Sequence, residues 1–146
     1  MTTTDAQVTR WWELSTLVHE LDLQNNARLR ERVARIGLTI AQASALRALD
    51  APTTLRELAT RMNCEPSNAT VVIDKLEDQG LIERRPHPTD RRAKQIHLTP
   101  EGAEQRDKLL TLLREEPLST GLTEEEQGAL QRLLQRALSG TDTSRT

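Results

Sequence analysis

The segment from Arg84 to His97 carries a dense cluster of positive charge, although the formal net charge of the chain at pH 7 is −2. The cations of this cluster are Arg84, Arg85, Arg91, Arg92 and Lys94, and Asp90 is the one acid among them. Such side chains neutralise phosphates, and an arginine can also enter a narrow minor groove of duplex DNA. Taken alone, the charge run suits a solvated hairpin equally well, so the neighbouring elements must decide between the two interpretations.

The segment that precedes this cluster is predicted to be a helix that begins at Pro66 and ends just before Gly80. Proline suits the first helical turn because its missing N–H would be unpaired there, and glycine suits the C-terminal cap. Apolar residues at helical spacing predict one buried face, formed by Ala69, Val72, Ile73 and Leu76. The opposite face is expected to be free to meet a partner.

That opposite face is short, largely polar and suited to contact with DNA bases. It carries Ser67, Asn68, Thr70, Val71, Asp74 and Lys75. Serine and asparagine can hydrogen-bond to base edges in a major groove, and valine can contact a thymine methyl group. Together with the basic cluster, this face favours recognition of double-stranded DNA. All of its members except Asp74 are candidate DNA contacts.

A hairpin and a second short helix are predicted to position these side chains. Segments 81–85 and 94–98 partly alternate apolar and polar residues around a loop rich in Pro, Thr and Asp, which predicts a β-hairpin. Thr54 and Glu57 have the spacing of a capping box and begin a short helix before the turn 63–65. Two short helices joined by a tight turn are typical of the helix-turn-helix, whose second helix enters the major groove.

Further helix boundaries are marked by capping and breaking residues. Capping boxes are predicted at Thr39–Gln42 and Thr123–Glu126, and Thr99 caps a helix whose first residue is Pro100. Interruptions or ends are predicted at Gly37, Pro117, Gly121 and Gly140. The chain therefore divides into several helices around the helix-turn-helix.

The hairpin and its flanks contain a series of short motifs: Gly80-Leu81-Ile82, Arg84-Arg85, Asp90-Arg91-Arg92 and Leu98-Thr99-Pro100-Glu101-Gly102. This series resembles the wing of the MarR family of winged-helix transcription regulators, and the similarity extends over residues 13–137. The resemblance implies a homodimer on a pseudo-palindromic operator, with the recognition helix in the major groove. It also implies that Arg92 reaches the minor groove while Asp90 orients the wing tip. Many members have Arg or Gly at the position of Val71, so relatives do not predict the operator sequence.

Helices on both sides of the DNA-binding module are predicted to join two copies of the chain. A helix over residues 5–36 and helices over residues 100–140 carry apolar faces that the module, residues 38–99, is too small to cover. These faces pack either within one chain or against a second copy, and the resemblance implies an intertwined homodimer. The fold class is then mainly α with a small β-wing, a winged helix-turn-helix flanked by N- and C-terminal dimerisation helices. Residues 141–146 are predicted to be a disordered tail.

Composition and motif content disfavour several other classes of protein. The chain has 146 residues, 29% of them charged and 36% hydrophobic, which is ordinary for one soluble domain. Because it has neither a membrane span nor a signal peptide, a cytoplasmic location is expected. It has no phosphate loop, nucleophile elbow or metal-ligand spacing, so we expect neither an enzyme nor a metal or other cofactor. The alternatives left open are a winged helix that binds protein and a protein that coats DNA nonspecifically.

The signal that would control DNA binding is the feature least specified by the sequence. The resemblance implies a repressor that loses affinity when a small aromatic or anionic effector binds. Trp11 and Trp12 are the only aromatic residues and are candidate ligand contacts, although they also suit simple packing. The single cysteine, Cys64, has no partner for an internal disulfide and is expected to be structural.

Overall fold

The computed structural model describes residues 2–116 and 121–142. Its elements are α1 (Asp5–Ala34), α2 (Ile40–Ala48), β1 (Thr53–Thr54), α3 (Leu55–Arg61), α4 (Pro66–Asp78), β2 (Ile82–Pro86), β3 (Lys94–Leu98), α5 (Pro100–Glu115) and α6 (Glu124–Asp142). The strands form an antiparallel sheet of order β1-β3-β2. The prediction of a mainly α chain with a small β-wing is confirmed.

Threonine side chains cap the start of most helices. The predicted capping boxes are all present, at Thr39–Gln42, Thr54–Glu57 and Thr123–Glu126. A fourth box, Thr4–Gln7, begins α1 and has no counterpart among the predictions. Glu57 also accepts a hydrogen bond from the Thr53 hydroxyl at 2.7 Å, and this bond is the main reason that the pKa of Glu57 lies below its ordinary value of 4.5. These short-range bonds fix where each helix begins.

The hydrophobic core lies between the end of α1, helices α2, α3 and α4, the sheet and the inner face of α5. Its largest fully buried side chains include Leu46, Leu58, Ile73, Leu76, Ile82, Ile96 and Leu109. The predicted inner face of α4 is confirmed, with Val72 half-buried at its edge. Burying a side chain of this size stabilises the fold by about 1.5–3 kcal/mol. Rotation of α4 about its axis would expose several of these side chains and lose their burial energy. The core thereby fixes which face of α4 points outward.

The base of the wing is fastened to the turn that follows α4. Thr99 donates its backbone N–H to Leu81 O at 3.1 Å and its hydroxyl to Gly80 O at 2.6 Å. A Cβ atom at Gly102 would lie 1.8 Å from Leu81 O, so only glycine fits this close approach. Gly80 has a φ of +75°, a conformation that glycine adopts without strain. The motif from Leu98 to Gly102 therefore fastens the base of the wing to the end of α4.

Strand β1 and two helix ends differ from the predictions. Thr53 pairs with Ile96 of β3, and a strand of two residues is too short to show an alternating pattern. Helix α1 ends at Ala34, before the turn that contains Gly37. Helix α6 continues through Gly140 to Asp142, so part of the predicted disordered tail is helical. Pro117 and residues 143–146 lie outside the described residues.

Helices α1 and α6 leave large apolar side chains exposed. They are Val8, Trp11, Trp12, Leu14, Leu17, Val18 and Leu23 on α1, and Leu133, Leu134 and Leu138 on α6. The described part of one chain does not cover these faces, which argues against a closed intramolecular bundle. None of the helices in the described ranges combines the length and apolar character that a membrane span requires.

Candidate nucleic-acid interface

Helix α4 presents its predicted polar face to solvent. Ser67, Asn68, Val71 and Lys75 are exposed and Thr70 is half-buried. Val71 is 55% exposed, whereas Val72 packs against the core and Ile73 lies within it. The Thr70 hydroxyl donates to Pro66 O at 2.9 Å, which leaves its lone pairs able to accept from a base. The face can therefore offer both polar and apolar contacts to a groove.

The wing tip, residues 87–93, is held by side-chain bonds to its own backbone. Oδ1 of Asp90 accepts the backbone N–H of Arg92 at 3.0 Å, which is the contact expected of an aspartate that orients the tip. Nδ1 of His87 accepts the backbone N–H groups of Thr89 and Asp90, both at 3.2 Å. The side chains of Arg91 and Arg92 are exposed on this ordered loop.

Arg84 lies at the junction of the wing and the recognition helix. Its Nη2 donates to Oδ1 of Asp74 at 2.7 Å and its Nη1 donates to Oε1 of Glu77 at 2.9 Å. The Asp74 bond is the largest of the effects that raise the pKa of Arg84. Only 26% of the Arg84 side chain is exposed, and two carboxylates already balance its charge. The geometry favours a brace between β2 and α4 over a phosphate contact.

A double-mutant cycle tests this brace. We expect Arg84→Ala and Asp74→Ala each to weaken DNA binding, and the combined loss to be smaller than the sum by about 0.5–3 kcal/mol because the two side chains act through one bond. Operator affinities from fluorescence anisotropy give the cycle. Lys94→Ala combined with Asp74→Ala is the matched control and should be additive. Additivity for Arg84 as well would mean that Arg84 contacts phosphate independently of Asp74.

The remaining wing cations are available to a phosphate backbone. Nη2 of Arg85 contacts Oε1 of Glu83 on the same strand, and both side chains are exposed. An exposed pair of this kind contributes only about 0–1 kcal/mol, so DNA can displace it. Lys94 is exposed at the start of β3. Arg85, Arg91, Arg92 and Lys94 therefore stay predicted DNA contacts.

The structure adds Arg56, which is not among the predicted DNA contacts, to this basic surface. A cavity of about 460 Å³ lies between the wing and the first turns of α3 and α4. Arg56, Arg84 and Lys94 line it together with Leu55, Pro66 and other residues. Arg56 belongs to the first helix of the helix-turn-helix, which crosses the DNA backbone in this type of motif. An exposed arginine in the first turn of that helix is the signal that could have identified it.

The two candidate effector contacts are exposed, and the single cysteine is half-buried. Trp11 and Trp12 are 62% and 67% exposed, with their ring centroids 6.0 Å apart, so the described part of the chain does not enclose them. Cys64 is a half-buried free thiol in the turn between α3 and α4. No group of three or more metal-ligating side chains occurs among the described residues.

Comparisons with known proteins agree with this geometry. Residues 38–94 match the model of the MarR family. The regulator YkoM of Bacillus subtilis is 38% identical over 59% of this chain and 57% of its own length. The multiple antibiotic resistance protein MarR of Escherichia coli is 28% identical over 86% of this chain and 90% of its own length. The chain spans about half the length of several curated relatives that it matches.

The fold is also that of a solved DNA complex. The crystal structure of a mutant of Escherichia coli MarR with operator DNA has a TM-score of 0.77 and 27% sequence identity, and the match covers 86% of this chain and 94% of that one. The matched family segment contains the helix-turn-helix, β2 and the wing tip with three of the four sequence motifs, and the motif from Leu98 to Gly102 lies beyond it. Residues 38–94 therefore match the MarR family, and the described chain has the fold of a MarR protein.

Proposed function

We propose that this protein is a sequence-specific transcriptional regulator that binds a pseudo-palindromic DNA operator as a homodimer. The observation that carries the proposal is the continuous surface formed by the outer face of α4 and the basic wing, which Arg84 joins through Asp74 and Glu77. A polar helix face supplies base contacts and the wing supplies cations, and DNA recognition requires both. The operator complex of the Escherichia coli relative supports the same use of this fold.

The homodimer is proposed from the exposed apolar faces of α1 and α6. Side chains such as Trp11, Leu17 and Leu134 lie on faces that one chain leaves uncovered. A contiguous exposed apolar surface on a protein of this size is typical of an interface. A second copy would cover both faces and would also place two recognition helices on one duplex, as a palindromic site requires.

The regulator is further proposed to act as a repressor in the cytoplasm, to have no catalytic activity, and to release DNA when a small aromatic or anionic molecule binds. Trp11 and Trp12 remain the predicted effector contacts. Their exposure in one chain is compatible with a site that is completed by the partner subunit. The protein-binding winged helix is the second candidate function, and the basic wing argues against it.

Fluorescence anisotropy with DNA from upstream of the protein's own gene tests the proposed function. Specific regulators bind their sites at least about a thousandfold more tightly than random sequence at physiological salt. We expect that ratio against a scrambled duplex of equal length, with two protomers per site. Equal and weak binding to both duplexes would move the protein-binding alternative to the front, and equal tight binding would indicate nonspecific coating.

Val71→Ala tests the contact of the recognition helix with bases. The exposed valine can contact a thymine methyl group, so its truncation should cost about 1–3 kcal/mol at one base pair of each half-site. Affinities for a set of operators with single base-pair changes measure this loss. The variant should discriminate less at that position and equally well at the others. A uniform loss of affinity over the whole set would contradict a base contact by Val71.

A further inference from the structure

Two neighbouring side chains of α5 bind the backbone of other elements. Nε2 of Gln105 donates to Ile36 O, in the turn after α1, at 2.6 Å. Nε of Arg106 donates to Leu46 O at 3.0 Å, and its Nη2 donates to Arg47 O at 3.3 Å. All three bonds join residues that lie about sixty or more positions apart. They connect α5 to the turn after α1 and to the last turn of α2.

The carbonyl groups at the end of α2 have a physical need for such donors. The last four carbonyls of a helix lack partners within it, and a cation near them also interacts favourably with the helix dipole. Arg106 of α5 bonds to two of these carbonyls, of which Leu46 O also accepts the backbone N–H of Leu49 at 3.2 Å. Arg61 of α3 bonds to a third, Ala48 O, at 2.9 Å and also to Asp50 at 3.1 Å. The end of α2 is therefore held from two sides.

Hydrogen bonds of this kind add something that the apolar core cannot supply. Leu109 of α5 is buried against the core, but apolar contact is non-directional and tolerates small sliding and rotation. Bonds from the Gln105 amide and the Arg106 guanidinium to fixed carbonyls hold α5 both along and around its axis. The position of α5 relative to α2, and hence to α3 and α4, is then set by polar contacts.

We propose that Gln105 and Arg106 are positioning residues that set the spacing between operator half-sites. The inference rests on the proposed function, because it requires two recognition helices carried by one dimer. Helix α5 leads from the wing toward α6, whose apolar face is proposed to join the dimer. A fixed junction at α5 fixes the separation of the two recognition helices. One added base pair shifts the half-sites by about 3.4 Å and rotates them by about 34°, so a rigid dimer discriminates against it.

The test measures affinity for operators that contain identical half-sites with the central spacer changed by one or two base pairs. The wild-type protein is expected to lose at least about tenfold in affinity for each one-pair change. Arg106→Met, which keeps the stem but removes every donor, should reduce that penalty to about threefold or less. Arg106→Lys keeps the charge but carries all of its donors on a single nitrogen, so it should give an intermediate penalty. Arg114→Met is the matched control, because it removes the same groups while Nε of Arg114 donates only to Leu110 O within α5 itself.

The outcomes separate this inference from the proposed function and from a loss of stability. Arg106→Met with the full wild-type spacer penalty would overturn the inference, and so would an equal loss of affinity at every spacing. A wild-type protein without sequence preference would overturn the proposed function instead. If Arg106→Met fails to fold, the spacer penalty is measured for Gln105→Ala instead. This change removes one neutral donor from a half-buried side chain, and a full wild-type penalty would again overturn the inference.

Discussion

The double variant Leu134→Asp with Leu138→Asp is expected to convert the protein from a dimer to a monomer and to abolish operator binding. The two leucines lie one turn apart on α6 and are 39% and 71% exposed in a single chain. In a two-fold dimer four leucines would be lost, each with about 1.5–3 kcal/mol of burial energy. Because part of each leucine is already buried in a single chain, the dissociation constant of the dimer should rise at least about a hundredfold, and the charged carboxylates add to this.

Sedimentation velocity at several protein concentrations measures this change, and anisotropy measures the accompanying loss of operator affinity. Gln135→Asp with Ser139→Asp is the matched control, because it adds the same two charges one turn apart at exposed positions of the same helix, away from the leucine face. Circular dichroism should show a folded chain in both variants. A dimer that persists in the leucine variant would place the interface elsewhere, and a wild-type monomer would remove the basis for a palindromic operator.

The boundaries of α3 and α4 could be predicted from the sequence because the residues that set them lie close together in the chain. Pro66 and Gly80 bound α4, and the Thr54–Glu57 box begins α3, so each boundary depends on residues within a few positions of one another. The buried face of α4 followed from helical spacing alone. Such features act before the chain has folded and are visible in any reading of the sequence.

The features that could not be predicted depend on partners distant in the chain. Strand β1 forms because Thr53 pairs with Ile96 of β3, and a strand of two residues shows no alternation of apolar and polar residues in the sequence. Arg84 was assigned to phosphate from a count of charges, which cannot reveal that Asp74 and Glu77 balance it. Likewise, no local pattern around Arg106 indicates that its side chain binds carbonyl groups at the end of α2. In each case the polar side chain acquires its role only when two elements pack.

The pairing of carboxylates outside the wing explains how a chain with a net charge of −2 can present a basic surface. Several carboxylates are held away from the wing by specific partners, as Glu116 is by Arg35 at 2.9 Å at the end of α5. This contact holds the pKa of Glu116 below its ordinary value and keeps the carboxylate ionised. The wing tip has a single acid, Asp90, whose carboxylate accepts a backbone N–H and orders the loop. Positive charge is thereby concentrated where DNA is proposed to bind, and this concentration does not require a positive net charge.

The wing tip supplies the second large effect. We expect Arg92→Ala to weaken operator binding by about 1–3 kcal/mol for each wing, or roughly thirtyfold or more for a dimer with two wings. Within the described ranges no carboxylate pairs with the Arg92 side chain, so its charge is available to a minor groove. An arginine in a narrow groove favours A·T-rich sequence there, and the variant should lose that preference as well as affinity.

Neighbouring variants separate groove binding by Arg92 from general electrostatics. Arg91→Ala removes the same charge from the adjacent exposed position, so it should reduce the salt dependence by a similar amount but leave the preference for A·T-rich sequence intact. Asp90→Ala should reproduce part of the Arg92 loss, because it releases the backbone N–H that holds the tip. Equal effects of Arg91→Ala and Arg92→Ala on both affinity and sequence preference would mean that the wing only neutralises phosphates, and unchanged affinity for Arg92→Ala would remove the wing from the interface.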